Sequence, residues 1–173
     1  MTPACASKRS PRNRRRRYTM TDVLTREQRR LNMSHVRGKD TKPEMQLRRG
    51  LYSRGLRYRL HTKGMPSKPD MVFPRHKVVI LVHGCFWHGH ECSLFKWPST
   101  RPEFWRTKIE SNRKRDARTI SLLRTAGWRV YVVWECALRG PERQRAEDVL
   151  NSCERFIRDG SATFGELRGK RLL

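Results

Sequence analysis

Residues 83–92 read His-Gly-Cys-Phe-Trp-His-Gly-His-Glu-Cys, which sets two cysteines and three histidines within ten positions. Together with the distant Cys136, the residues Cys85, His90 and Cys92 supply three thiolates and an imidazole. This is the soft tetrahedral donor set of structural zinc. The spacing C-x4-H-x-C differs from the paired C-x2-C signature, and the plain alternative for Cys136 is a buried free thiol at a strand end. If these four hold zinc, His83 and His88 stand outside the set, either as proton-transfer groups or as ordinary satisfied polar residues. A carboxylate gives them a context. Asp70 follows Pro69 and precedes an apolar run, and His83 ends the next apolar run thirteen residues later. A hairpin between them brings the two side chains together. Hydrolysing a phosphodiester needs a hard cation to offset phosphate charge, an oxygen ligand to hold it, and groups that move protons. Asp70 can hold Mg2+ and the histidines can move protons; standing alone, Asp70 would read as a cap at the start of a strand. Glu44 offers a second carboxylate, but Thr41-Lys42-Pro43-Glu44 is a helix-capping box, and spacing alone makes Glu44 structural.

The elements that must position these groups are legible in outline. A short polar helix is expected over residues 25–36, and a second from the capping box through Met45, Leu47 and Leu51 to Gly55. Leu56–His61 alternates apolar and basic side chains like a strand with one exposed face. Asp70–Phe73 and Val78–Val82 read as buried strands joined by a turn at Pro74–Lys77. Pro102 starts a long helix that ends before Gly127, Trp128–Trp134 is a further buried strand, and Pro141 opens a last helix running through Ile157. The order helix, three strands, helix, strand, helix predicts an α/β sandwich around a mixed central sheet.

The chain has 173 residues, enough for one compact domain. Residues 1–24 form a basic arm expected to be disordered alone, with seven Lys or Arg between Lys8 and Arg17. Residues 25–158 form the domain, and residues 159–173 a loosely held tail. Lys and Arg number 40 against 16 Asp and Glu, a formal net charge of +24, so the natural partner is a polyanion bound more weakly as salt rises. No apolar stretch approaches the ~20 residues of a membrane span and no signal-peptide core follows the basic N-terminus, which points to a cytoplasmic protein. The five cysteines are an odd number, which favours metal ligation over a disulfide framework. Cys5 and Cys153 read as unligated thiols.

At His83–Cys92, at Thr100–Trp105 and from Gly127 to Gly140, where Val133-Trp134-Glu135-Cys136-Ala137-Leu138-Arg139-Gly140 closes the stretch, the chain resembles the very short patch repair endonucleases of bacteria. The similarity runs from about Asn32-Met33 to Arg139-Gly140. It implies a three-layer fold related to the type II restriction endonucleases with a structural zinc site, and a Mg2+-dependent nick 5′ of the thymine in a T:G mismatch left by deaminated 5-methylcytosine. By the same resemblance Asp70 binds Mg2+, His83 and His88 are catalytic, and Glu44 becomes an active-site carboxylate, against its reading from spacing. Cys85, His90, Cys92 and Cys136 are the implied zinc ligands. Phe86, Trp87 and Trp105 correspond to an aromatic wedge pushed into the duplex, with Met33 at the opposite groove and Lys108 and Asn112 at the mispaired bases. A poorly stacked wobble pair makes such insertion cheaper than in matched DNA. Val82 stands where the family has threonine: if that residue binds Mg2+ through its main-chain carbonyl, valine can replace it, and if through its hydroxyl, one ligand is lost. Gly89 replaces one histidine of the family's loop, at a position outside the expected ligands. The implied setting is the bacterial nucleoid, with double-stranded DNA as partner, mismatch-repair proteins as further partners and a monomeric enzyme. Two other readings stay open: a restriction-like nuclease without mismatch specificity, and a zinc-stabilised DNA-binding protein that has lost catalysis.

Overall fold

The two most apolar runs of the chain lie side by side in the sheet. β2 (Val78–His83) and β3 (Arg129–Trp134) pair in parallel from Val78↔Arg129 to His83↔Trp134. The computed structural model describes residues 25–35 and 38–170. The basic arm of residues 1–24, Cys5 within it, and the last three residues of the expected tail lie outside that range. β1 (Met71–Phe73) runs antiparallel to β2, with Met71 opposite Ile80 and Phe73 opposite Val78. A 3-10 turn at Pro74–His76 closes this hairpin, and Lys77 takes the left-handed conformation that reverses the chain. β4 (Phe164–Leu167) completes the order β1-β2-β3-β4 by pairing in parallel with β3, so the sheet is mixed.

Three sequence expectations change here. Leu56–His61 is not a strand: only Arg59 bridges to Val72, because Tyr58 alone of its apolar alternation reaches the core beyond Leu56. The final helix begins at Ala146 rather than at Pro141, after a short helix at Glu135–Leu138 that turns the chain beneath Trp134. The expected loose tail contains β4, whose main chain is held by the ladder to β3 although its side chains are largely solvent-facing.

Helices cover both faces of the sheet. α1 (Arg26–Ser34) starts at a capping box between Thr25 and Gln28, and its described side chains, Leu31 and Met33 among them, are exposed. α2 (Lys42–Ser53) is capped by Thr41, carries Pro43 in its first turn and buries Leu47 and Leu51, four residues apart on one face. The four-residue helix at Glu135–Leu138 is α4, and α5 (Ala146–Arg158) buries Val149, Cys153, Phe156 and Ile157. These pack with α2 over Met71, Phe73, Ile80, Tyr131 and Val133. α3 (Pro102–Thr125) covers the opposite face through Leu123 and Ile120, against Val72, Val79, Leu81, Val130 and Val132. At ~1.5–3 kcal/mol for each fully buried aliphatic side chain, these two layers hold the sheet in place. The alternation along β2 then sorts its far end: Ile80 and Val82 face α2 and α5, while Val79, Leu81 and His83 face α3. Among the described residues no helix is long and apolar enough to cross a membrane.

Candidate active site

The C-terminal end of β2 carries two groups of polar side chains. On the α2 side, Asp70 Oδ2 accepts the main-chain N–H of Val82 at 2.7 Å, which ties the residue before β1 to the penultimate residue of β2. Burial pushes the Asp70 carboxyl up to about 6. The charge of nearby Glu44 adds to this, and the Val82 N–H and the Arg48 guanidinium work against it. Glu44 is buried on α2. Its Oε1 accepts from the Thr41 hydroxyl at 2.9 Å, and its Oε2 accepts from the Asp40 N–H at 3.0 Å and from Arg48 Nη2 at 3.2 Å. Arg48 Nη2 also reaches the Asp70 carbonyl at 3.4 Å. The helix cap and the buried acids are thus one construction, in which the Arg48 guanidinium pairs with Glu44 and Asp40 and reaches the main chain of Asp70. A hard cation fits such oxygens, because its charge offsets the desolvation and mutual repulsion that raise the Asp70 carboxyl above its ordinary value.

On the α3 side, the rings of His83 and His88 stack in parallel with centroids 4.2 Å apart. Asp116 of α3 binds His88 Nδ1 through its carboxylate. Burial lowers the His83 pKa to about 4, with the neighbouring His88 adding to the effect, so His83 is neutral at physiological pH. A carboxylate on one nitrogen of His88 fixes the ring and leaves the other nitrogen to take a proton, the arrangement of an oriented general base. His83 therefore keeps its closest polar company with His88 and Asp116, and Asp70 with Glu44, Arg48 and Val82. His88 joins the two groups, because it also lines the cleft formed by Glu44, Val82, Trp87, Lys108 and Asn112.

The loop after β2 holds Cys85, His90 and Cys92 against Cys136 at the start of α4. Cys85 Sγ lies 3.7 Å and Cys136 Sγ 3.6 Å from His90 Nδ1, and the four donor atoms lie within 4.8 Å of one another. Cys85 accepts the N–H of Cys136, and Cys136 accepts the N–H of Gly169. A hydrogen bond from Cys85 pushes Cys136 down to about 6, while Cys85 is pushed up. Burial, with Arg168 nearby, lowers the His90 pKa, which leaves a neutral ring. Three crowded sulfurs that share protons and one neutral imidazole fit a soft metal ion, which would satisfy all four at once. Trp134 separates the two histidine sets, stacking on His90 at 4.2 Å and meeting His83 edge-on at 5.2 Å.

Phe86, Trp87 and Trp105 form an aromatic cluster, of which Phe86 and Trp87 line the cleft. The Phe86 ring is 5.2 Å from Trp87 and 5.1 Å from Trp105. Lys108 is exposed, whereas Asn112 is buried and donates from Nδ2 to the Trp87 carbonyl at 2.8 Å. Asn112 thereby secures the loop that carries Phe86 and Trp87. Met33 is exposed on α1.

The sequence reading missed Asp116, and also missed Arg48, Arg113 and Glu135. Arg113 donates to the carbonyls of His88 and Gly89, and Glu135 accepts the Cys85 N–H at 3.1 Å. A signal for Asp116 was available: Lys108, Asn112 and Asp116 recur every four residues on one face of α3, and Asp116 is an acid amid Arg113, Lys114, Arg115 and Arg118. Gly89 has a reason of its own. It takes φ of +60°, and a Cβ there would lie 2.7 Å from Ile109 Cγ2 and 3.0 Å from Arg113 Nη2.

Paired acids, an oriented imidazole and a basic, aromatic-rimmed cleft define a hydrolytic enzyme acting on a polyanion, and comparison with known proteins makes this a DNA endonuclease. The family model of the DNA mismatch endonuclease Vsr matches residues 21–94. The chain is 51% identical over 134 residues to the type II nicking enzyme V.XorIIP of Xanthomonas oryzae pv. oryzae, covering 76% of this chain and 98% of that protein. It is 43% identical over 155 residues to the DNA mismatch endonuclease Vsr of Escherichia coli, covering 89% and 99%. Among solved structures, the catalytic domain of the homing endonuclease I-Bth0305I aligns with 68% of this chain and 94% of its own, at 20% identity and a TM-score of 0.45. The chain belongs to the Vsr family of DNA mismatch endonucleases.

Proposed function

We propose that this enzyme nicks one strand of duplex DNA on the 5′ side of the thymine in a T:G mismatch, by Mg2+-dependent hydrolysis in a restriction-endonuclease-like domain stabilised by zinc. The observation that carries the reading is one cleft with Glu44, Val82 and His88 on its walls and the aromatic pair Phe86 and Trp87 at its mouth, so that a duplex opened by the rings would present its backbone to the acid and imidazole groups. Asp70 and the Val82 carbonyl would hold the Mg2+, and Glu44 would supply a further carboxylate. Bound there, Mg2+ would offset charge on the phosphate. His88, oriented by Asp116, takes a proton from the attacking water as a new P–O bond forms. The bond from phosphorus to the 3′ oxygen breaks, and that oxygen collects a proton as it leaves. Neutral His83 stacks on His88, steadies that ring, and can donate a hydrogen bond to the reacting group from its own ring N–H. Cys85, His90, Cys92 and Cys136 would hold zinc, and these ligands would tie the loop carrying Phe86, Trp87 and His88 to α4. Phe86, Trp87 and Trp105 form the wedge, Met33 of α1 meets the other groove, and Lys108 reads the mispaired bases with Asn112. One nick needs one active site, so the enzyme acts as a monomer, in the bacterial cytoplasm on nucleoid DNA.

The test is incubation with Mg2+ and a labelled duplex carrying one T:G mismatch, beside matched T:A and C:G duplexes and the Asp70→Ala variant. Nicking confined to the mispaired thymine and lost in the variant is the expected result. Equal cutting of all three duplexes would leave a nuclease without mismatch specificity, and binding without any cut would leave a DNA-binding protein.

A further inference from the structure

Trp97 is 54% exposed, and nothing in the wedge or the cleft accounts for it. Its ring meets Phe95 edge-on at 5.0 Å, and Phe95 lies 6.3 Å from Phe86. A continuous strip of rings therefore runs from the cleft mouth, where Phe86 and Trp87 stand beside His88, outward to Trp97. A second branch passes through Trp105 to Phe104, which is 47% exposed and carries the Arg101 guanidinium over its face at 4.6 Å. The strip is bordered by the exposed bases Lys96, Arg101, Arg106 and Lys108, against Glu103 alone among acids between residues 93 and 108. Its backbone is constrained. Pro98 holds Trp97 out of the helical region, and Arg101, at φ of +54°, turns the chain directly into Pro102 of α3.

We propose that Trp97 is a DNA contact outside the wedge, its indole stacking on a nucleobase in the duplex flank. The inference rests on the reading of the cleft as a DNA site. Two ring contacts separate Trp97 from Phe86, a reach of at most about three base-pair steps at ~3.4 Å each. Stacking suits such a residue because every base offers a π-face once its step is parted, beside a duplex that the neighbouring rings already open, and basic neighbours draw the phosphates that bring the base within reach. The contact widens the footprint to one side of the mismatch and adds affinity without reading sequence.

The test compares the full chain with its Trp97→Ala and Trp97→Phe variants, binding a labelled T:G duplex and a matched duplex without Mg2+ at several salt concentrations. Trp97→Ala is expected to weaken binding about five- to hundred-fold, with Trp97→Phe recovering most of it. The slope of log K against log salt stays unchanged for Trp97→Ala, while Lys96→Ala lowers it by about one. Thermal melting of Trp97→Ala matches the parent, since the ring is exposed. An abasic site walked through the flank abolishes the penalty at one position. The proposal fails if Trp97→Ala binds within twofold of the parent, or if its penalty persists at every abasic position, which would mark the ring as a surface for something other than a base. A parent that binds both duplexes alike, and nicks neither, sinks the mismatch reading while the Trp97 comparison still decides this one.

Discussion

The Asp70 carboxyl ionises near 3.8 in an unfolded chain but near 6 in the folded protein, where burial and Glu44 oppose its charge. Between those values the folded state keeps a proton that the unfolded chain has released. Stability is therefore lost as pH rises through this window, and the whole cost is present above it. At ~1.4 kcal/mol per pH unit the gap amounts to ~3 kcal/mol at pH 8. Asp70→Asn removes the charge but keeps an oxygen that can accept the Val82 N–H. The variant should thus be inactive in nicking yet more stable than the parent by up to ~3 kcal/mol at pH 8, with the difference about halved at pH 5. His83 acts in the opposite sense. Its folded value near 4 lies below the ordinary 6.5, so its contribution is full above 6.5 and is lost as pH falls through 4; it is common to both proteins and cancels. The assay is urea denaturation at pH 5, 6.5 and 8 without Mg2+ and without chelator, which leaves the Cys/His cluster undisturbed. Adding millimolar Mg2+ should stabilise the parent and not the variant. Equal stability at pH 8, or an advantage that does not shrink on acidification, would refute the account of Asp70.

Three further outcomes follow from named contacts. Asp116→Asn deprives His88 of its carboxylate and should slow single-turnover nicking by ~10²–10⁴-fold with DNA affinity unchanged; a loss under about threefold would remove Asp116 from the proton path. Cys136→Ser takes one donor from the buried cluster, and elemental analysis should find zinc falling from about one per chain toward none, with the urea transition broadened; full zinc content in the variant would exclude Cys136 as a ligand. Arg129 donates to the carbonyls of Phe156, Ile157, Asp159 and Ala162 where α5 ends, so Arg129→Met should cost ~1–3 kcal/mol in urea denaturation, and no loss would show that water replaces the guanidinium there.

Patterns of short range are legible in the sequence itself. The Thr41–Glu44 cap and the Leu47 and Leu51 pair specify α2, the apolar runs specify β2 and β3, and Pro102 and Gly127 bound α3. The donor types of the Cys/His loop were also plain, because their chemistry lies in residue identity. Leu56–His61 misled for the same reason that it looked like a strand: alternation states a preference for one buried face, and no sheet edge takes more than Arg59. β4 was hidden in turn, since Phe164–Leu167 carries no apolar run and owes its form to main-chain pairing with β3.

By itself the sequence determined the polyanionic partner, through a charge of +24, and the donor atoms available to a metal, through residue type. Only the tertiary structure decided which donors act together. It set Arg48 between Glu44 and Asp70, brought Asp116 of α3 to His88 across 28 residues, and put Cys136 against Cys85 across 51. These partnerships depend on the packing of α2 and α3 on opposite faces of one sheet, and hydrophobic burial, which drives that packing, is non-directional: local spacing shows which face is buried, not which element covers it.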